Sequence, residues 1–356
     1  MKKILIFMLM FTLVFGFVGC EETGENPPGQ PSEPNTPGEP TEPGPSGTAG
    51  AIAKVGLGHI IKTAKSKEAE GDVLAMGQVD NVIAAVGFDK DGKVVKVTID
   101  TAQQSVSFDK DLKVSTDLTA AQETKVERGD KYGMRAASSI GKEWYEQIAE
   151  LEKWMIGKSV NEIKGMKLND GKPDVAELTS LVTISVGDYI AAVEDAYNNA
   201  IDVAAGAETV GLGQSISIEG SKSLNAAEKV NPLVAVDTVM AATAFDKDGK
   251  VAGTVIDMAQ TKINFDAQGK IADVADKTKL ELGDEYGMRK ASSIGKEWNE
   301  QIAEFGKWMV GKNVEEIKSL KVTETTVPDI PELASTVTIK VGSYIEVVEE
   351  SYENAK

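Results

Sequence analysis

The chain has one cysteine, Cys20, and one histidine, His59, in 356 residues, and aromatic residues make up only 6% of it. No disulfide can form within the chain. Positive charge is also scarce: Lys+Arg number 38 against 56 Asp+Glu, a formal net charge of -18. An acidic surface repels nucleic acid and anionic headgroups, so no nucleic-acid partner is expected. The one long apolar run, Ile4 to Val18, is short for crossing a bilayer.

The chain does contain a duplication. Lys131–Lys158 reads KYGMRAASSIGKEWYEQIAELEKWMIGK and returns as EYGMRKASSIGKEWNEQIAEFGKWMVGK at Glu285–Lys312. A period of roughly 155 residues is a duplicated domain, well beyond the 20–50 residues of a solenoid repeat. The second copy has Gln214 where the first has His59. A histidine-based triad or His/Cys zinc site common to both copies is therefore excluded, and no metal is expected. His59 reads as an ordinary strand or surface residue.

Within the repeat, Ile140, Trp144, Ile148, Leu151 and Met155 fall at spacings of four, four, three and four, one face of a helix. Ile294, Trp298, Ile302, Phe305 and Met309 repeat it. Ser138 or Ser139 is predicted to cap the start, and Gly157 to end it with a left-handed residue. Ser159-x-x-Glu162 and Asn313-x-x-Glu316 read as capping boxes of a second short helix. Ser139-Ile-Gly-Lys142 and Ser293-Ile-Gly-Lys296 match Ser-x-x-Lys, but no Ser-Asp-Asn or Lys-Thr-Gly accompanies them. No catalytic residue is assigned.

In chain order, residues 1–20 have Lys2 and Lys3, the apolar run, and Gly19-Cys20, the pattern of an export signal. The Phe17-Val-Gly-Cys20 end resembles a bacterial lipobox. That resemblance implies lipidation of Cys20 and a lipid-anchored protein on the extracellular face of a Gram-positive type cell membrane. Residues 21–48, rich in Pro, Gly, Glu, Ser and Thr, read as a disordered, extended tether. Two domains follow, 49–203 and 207–356.

Each domain opens on Val-Gly-Leu-Gly (55–58 and 210–213), read as an edge strand with a tight backbone approach. Asn81–Asp89 and Lys93–Asp100 flank Lys90-Asp91-Gly92, and Val239–Asp246 and Lys250–Asp257 flank Lys247-Asp248-Gly249; Asp-Gly predicts hairpins. Asp89-x-Asp91-Gly92 lacks the further ligands of an EF-hand calcium loop. Asp100 and Asp257 are expected at strand ends. A third strand is predicted at Ser105–Phe108 and Lys262–Phe265. Leu181–Val186 and Thr336–Val341 alternate as strands and lead into helices carrying Ile190, Val193 and Tyr197, or Ile345, Val348 and Tyr352. The predicted fold class is α+β: two tandem domains, each an antiparallel sheet with helices on one face.

Ser180-Leu-Val-Thr183-Ile-Ser185 and Ser335-Thr-Val-Thr338-Ile-Lys340, together with the D-G-K-V hairpin and the Trp-to-Gly-Lys helix, resemble the FMN-binding domain family. This family includes extracellular electron-transfer lipoproteins. The resemblance covers nearly all of both copies. It implies FMN as cofactor, Thr183 and Thr338 at the phosphoester position, and Ser180 and Ser335 at the signature serine. It also implies a quinone or redox-protein partner and membrane attachment through lipid on Cys20. Leu181-Val182 and Thr336-Val337 replace the family's Gly-Ala, and such bulk argues against a covalent phosphate contact. Tyr132, Met134, Tyr286 and Met288 are candidates to flank a flavin ring, and Arg135 and Arg289 to clamp its phosphate. The competing expectation is a non-catalytic ligand-binding or adhesion lipoprotein that kept the fold and lost the flavin.

Overall fold

The computed structural model describes residues 50–356. The export signal, Cys20 and the tether lie outside them. Copy one contains strands β1 (Lys54–Lys62), β2 (Met76–Phe88) and β3 (Val94–Ser107), then helices α1 (Trp144–Met155) and α2 (Gly187–Asn198). Copy two repeats them as β4 (Ala207–Ser217), β5 (Leu233–Asp246) and β6 (Val251–Phe265), adds β7 (Ile271–Ala275), and ends with α3 (Trp298–Met309) and α4 (Gly342–Glu353). The fold is α+β with antiparallel sheets, and helices cover one face of each.

Gly92 and Gly249, at φ 76° and 73°, turn the two Asp-Gly hairpins. Asp89 Oδ1 accepts from the amides of Asp91 and Lys93, both at 2.9 Å, so its carboxylate closes the turn. The strand after each hairpin is longer than its sequence suggests: β3 and β6 run unbroken through the gap expected after Asp100 and Asp257. The extra third strand is thus the far half of the second, and Asp100 and Asp257 are buried mid-strand rather than at strand ends.

Both faces of each sheet are buried. Val82, Ala84, Val86 and Phe88 point toward α1 and α2, while Ile83 and Ala85 point the other way. They meet Val210, Leu212, Met240, Ala242 and Ala244 of copy two. A second inter-copy cluster includes Val79, Val106 and Phe108 with Val234, Ile263 and Phe265. The rings of Phe108 and Phe265 meet edge to face at 5.5 Å. The layers are therefore helices, sheet, sheet, helices, and residues 50–356 belong to one compact unit. This explains the nearly continuous apolar runs in β2 and β5, where a half-solvated sheet would alternate.

The Val-Gly-Leu-Gly strands carry α2 and α4. A Cβ on Gly56 or Gly58 would lie 1.9 and 2.0 Å from the carbonyl oxygens of Ala196 and Ala192. In copy two, Gly211 and Gly213 would meet those of Ser351 and Val347 at 1.7 and 1.8 Å. The glycines let helix backbone rest directly on strand backbone. Gly58→Ala and Gly213→Ala are each expected to cost about 3 kcal/mol or more in chemical denaturation, since backbone cannot yield as a side chain does. A cost below about 1 kcal/mol would contradict this packing.

Candidate functional site

The helices α1 and α3 start at Trp144 and Trp298, later than the serines predicted to cap them. Glu143 and Glu297 are the N-caps, in capping boxes with Glu146 and Glu300. Their buried carboxylates also receive the backbone amides of Met134 and Arg135, or Met288 and Arg289, at 2.7–2.8 Å. This second duty explains why a glutamate outcompetes the serines: it ties the Tyr-Gly-Met-Arg turn to the helix start. Gly157 does follow α1 with φ 81°, and both short-helix capping boxes are present.

Thr183 and Thr338 lie in irregular segments. Leu181–Val186 and Thr336–Val341 do not form strands, because their polar partner is a side chain rather than a neighbouring strand. Gln147 Oε1 accepts the Thr183 amide at 2.8 Å and its hydroxyl at 3.3 Å. Gln301 does the same for Thr338 at 2.8 and 3.2 Å. Each glutamine is fully buried, and its amide nitrogen donates to Ser138 and the Lys142 carbonyl, or to Ser292 and the Lys296 carbonyl. One glutamine per copy thus links the threonine turn to the loop following Tyr-Gly-Met-Arg. Sequence reasoning missed it; the signal was a glutamine on the apolar face, one turn from the tryptophan.

Val182 and Val337 fill the joint beside each threonine at 1% exposure, while Ser180 and Ser335 are exposed. Arg135 pairs with Asp130 and Glu146, both at 3.0 Å, and Arg289 with Asp284 and Glu300 at 2.9 Å. Each guanidinium is occupied by two carboxylates, one from its own loop and one from the first turn of the following helix. Tyr132, Met134, Tyr286 and Met288 pack against the helix-side cores. Trp144 donates to Tyr189 Oη at 2.8 Å, and Trp298 to Tyr344 Oη at 3.0 Å. Among the described residues no group of acidic, His or Cys side chains could hold a metal ion.

Two related grooves run between the Trp helix and the edge of β3 or β6, each closed by the end of the other copy's last helix. In copy one the groove holds about 430 Å³ with Glu152 in its wall, accepting the Ile99 amide at 2.7 Å and pairing with Lys356 at 3.2 Å. In copy two the equivalent residue is Gly306, so Ile256 has no such carboxylate to donate to. The resulting cavity holds about 530 Å³ and is mainly apolar, with Val255, Ile256, Ile302, Ala303 and Val310 in its walls. Asn299, whose buried Oδ1 has no hydrogen-bond partner, and Asn199 supply polar groups.

The inter-copy boundary also buries charge. His59 sits between Asp195 at 3.5 Å and Glu281 of copy two at 3.4 Å. Burial alone would lower its pKa, but Glu281, Asp257 and Asp195 outweigh this and raise it. Gln214 takes the equivalent place and donates to Asp100 at 3.0 Å. There, burial pushes Glu350 up to about 7, helped by Glu127, Asp100 and Glu353. Burial raises Asp100 and Asp257 as well.

No protein-family profile and no solved structure matches the chain. It is 35% identical over 91 residues to a chlorophenol reductase of Desulfitobacterium hafniense, an overlap of 22% of this chain and 27% of that protein. The chain thus spans about a quarter of that relative's length.

Asp100, Asp257, Glu350 and His59 bind protons more tightly folded than unfolded, so their stabilisation is complete below their unfolded pKa values and is lost as pH rises through the folded ones. For Glu350 the loss begins in the ordinary glutamate range and is largely complete just above about pH 7. Lys279, pushed down to about 8 by burial, acts in the opposite sense only above that pH. The melting temperature is therefore expected to fall between about pH 5 and 8, and Glu350→Gln to flatten part of the fall. A melting temperature that climbs across this range, or an unchanged slope in the variant, would contradict it.

Proposed function

We propose that this protein is a non-catalytic, ligand-binding lipoprotein whose second copy holds a planar, largely apolar redox molecule of the flavin or quinone class. The observation that carries the reading is Gly306. It opens an apolar groove of about 530 Å³, where the counterpart of about 430 Å³ carries the buried Glu152 carboxylate. This volume suits an organic ligand. The Ile256 amide and Asn199 are polar groups suited to ring oxygens or nitrogens.

Three further facts support a redox ring as occupant. The sequence resembles FMN-binding domains, part of it is similar to a reductase whose named substrate is aromatic, and the groove walls are apolar. The protein supplies placement; the bound molecule supplies the redox chemistry. With lipid on Cys20 and the Pro- and Gly-rich segment 21–48 between the lipid and the domains, the unit would exchange electrons between membrane quinones and acceptors outside the cell. Among the described residues no helix is long and apolar enough to cross a membrane. FMN attachment through Thr183 and Thr338, the arrangement the resemblance implies, would require each hydroxyl to leave its glutamine and Val182 or Val337 to move.

The test is titration with FMN, riboflavin and menadione, followed by ligand fluorescence or absorbance, together with intact mass of the purified protein. Wild type is expected to bind at least one of them, and Gly306→Glu to weaken it at least about tenfold, roughly 1.4 kcal/mol. An FMN-sized mass addition lost in Thr183→Ala with Thr338→Ala would move the site to the threonines. Failure to bind any of the three would overturn the redox reading.

A further inference from the structure

We propose that copy one carries a second, independent binding site, for a compact organic monocarboxylate, in the cavity between β1, β2 and the start of α2. The cavity holds about 260 Å³ and is lined by Ile60, Val82, Thr101, Lys125, Asp188 and Tyr189, with Lys62, Lys65 and Asp80 among its other walls. Three hydrogen-bond donors converge on it, with an aliphatic wall alongside.

The first donor is Lys125. Of the three lysines, Lys62 is paired with Asp188 at 2.5 Å and Lys65 with Asp80 at 2.6 Å. Lys125 has no carboxylate partner within 4 Å among the described residues. Its ammonium lies 5.1 Å from the Tyr132 ring centre and 5.2 Å from that of Trp144, a cation held by aromatic faces. The second donor is the Thr101 hydroxyl, on a residue only 2% exposed; it lies beside the Tyr189 hydroxyl but makes no well-formed hydrogen bond. A buried hydroxyl left unpaired costs free energy that a ligand oxygen would recover. The third is the Tyr189 hydroxyl, which accepts from Trp144 and lies beside Thr101, its own proton able to turn to a ligand oxygen. Burial pushes this phenol up to about 12, so it stays protonated at physiological pH.

The charge balance selects the ligand. Three lysines against two aspartates leave one positive charge around the cavity, in a protein of net charge -18. One cation and two hydroxyl donors match the two oxygens of a carboxylate. A phosphate dianion would bring one more negative charge beside Asp80 and Asp188. Ile60 and Val82 suit a short hydrocarbon body. Copy two has lost the arrangement: Met258 stands at Thr101, Ser217 at Lys62 and Ser343 at Asp188. Its lysine, Lys279, is buried facing Asp237 and Asp257.

The experiment is isothermal titration of the full chain with benzoate, with benzyl alcohol and inorganic phosphate as controls. Benzoate is expected to bind. Lys125→Met is expected to weaken it at least about tenfold and Thr101→Val several-fold, while Gly306→Glu leaves it unchanged, separating this site from the apolar groove. Thr101→Val is nearly isosteric and decides the matter if Lys125→Met fails to fold, as read by its melting curve. No binding at millimolar benzoate, equal affinity for benzyl alcohol, tighter binding of phosphate, or indifference of both variants would each overturn the proposal.

Discussion

The structure depends on the burial of one copy's sheet against the other's. Helices cover only the outer faces, and the inner faces carry Ile83, Ala85, Met240, Ala242 and their neighbours, which solvent would penalise. Small side chains dominate this contact, so the sheets approach closely. A Cβ on Gly77 would press on Val234 at 2.6 Å, and one on Gly87 on Val210 at 2.9 Å. The ends are stitched by backbone as well, with the Ala69 amide donating to the Gly269 carbonyl at 2.9 Å. The duplication thus produced a pseudo-symmetric pair inside one chain, and both grooves exist only because one copy's last helix ends over the other's Trp helix.

That arrangement also explains where the copies have diverged. On the helix side they remain nearly superimposable in chemistry: the glutamate caps, the glutamine braces, the tryptophan–tyrosine bonds and the arginine pairs all recur. At the boundary they part company. His59 stands among carboxylates where copy two has Gln214, and Glu152 places a carboxylate in the groove where copy two has Gly306. Scaffold positions must satisfy their own copy's buried groups, so they resist change. Boundary positions answer to the partner surface, which differs on the two sides, and there specialisation has room.

Much of the fold was legible because it rests on local rules. Asp-Gly turns, capping boxes and the apolar face of the Trp helix each depend on a few neighbouring residues. The Gly-x-Gly strands could be read as close approaches, though not what approaches them. Strand Leu181–Val186 was misread because its alternation is produced by burial against the helix core, with Gln147 supplying the polar partner from far along the chain. The start of the Trp helix was misplaced for a related reason: Glu143 serves a loop as well as a helix. The inter-copy face was hidden altogether, since nothing in one repeat announces that its twin will cover it. The grooves and their asymmetry therefore had no sequence signature beyond single differences between aligned repeats.

The most direct test of a shared core is to produce residues 50–203 and 207–356 as separate chains and follow each by near-ultraviolet circular dichroism and thermal unfolding, alone and mixed. A shared core should give no cooperative melt for either half alone, and a single native-like transition when the two are combined. Two halves that each melt cooperatively near the temperature of the intact chain, and that do not associate, would contradict it.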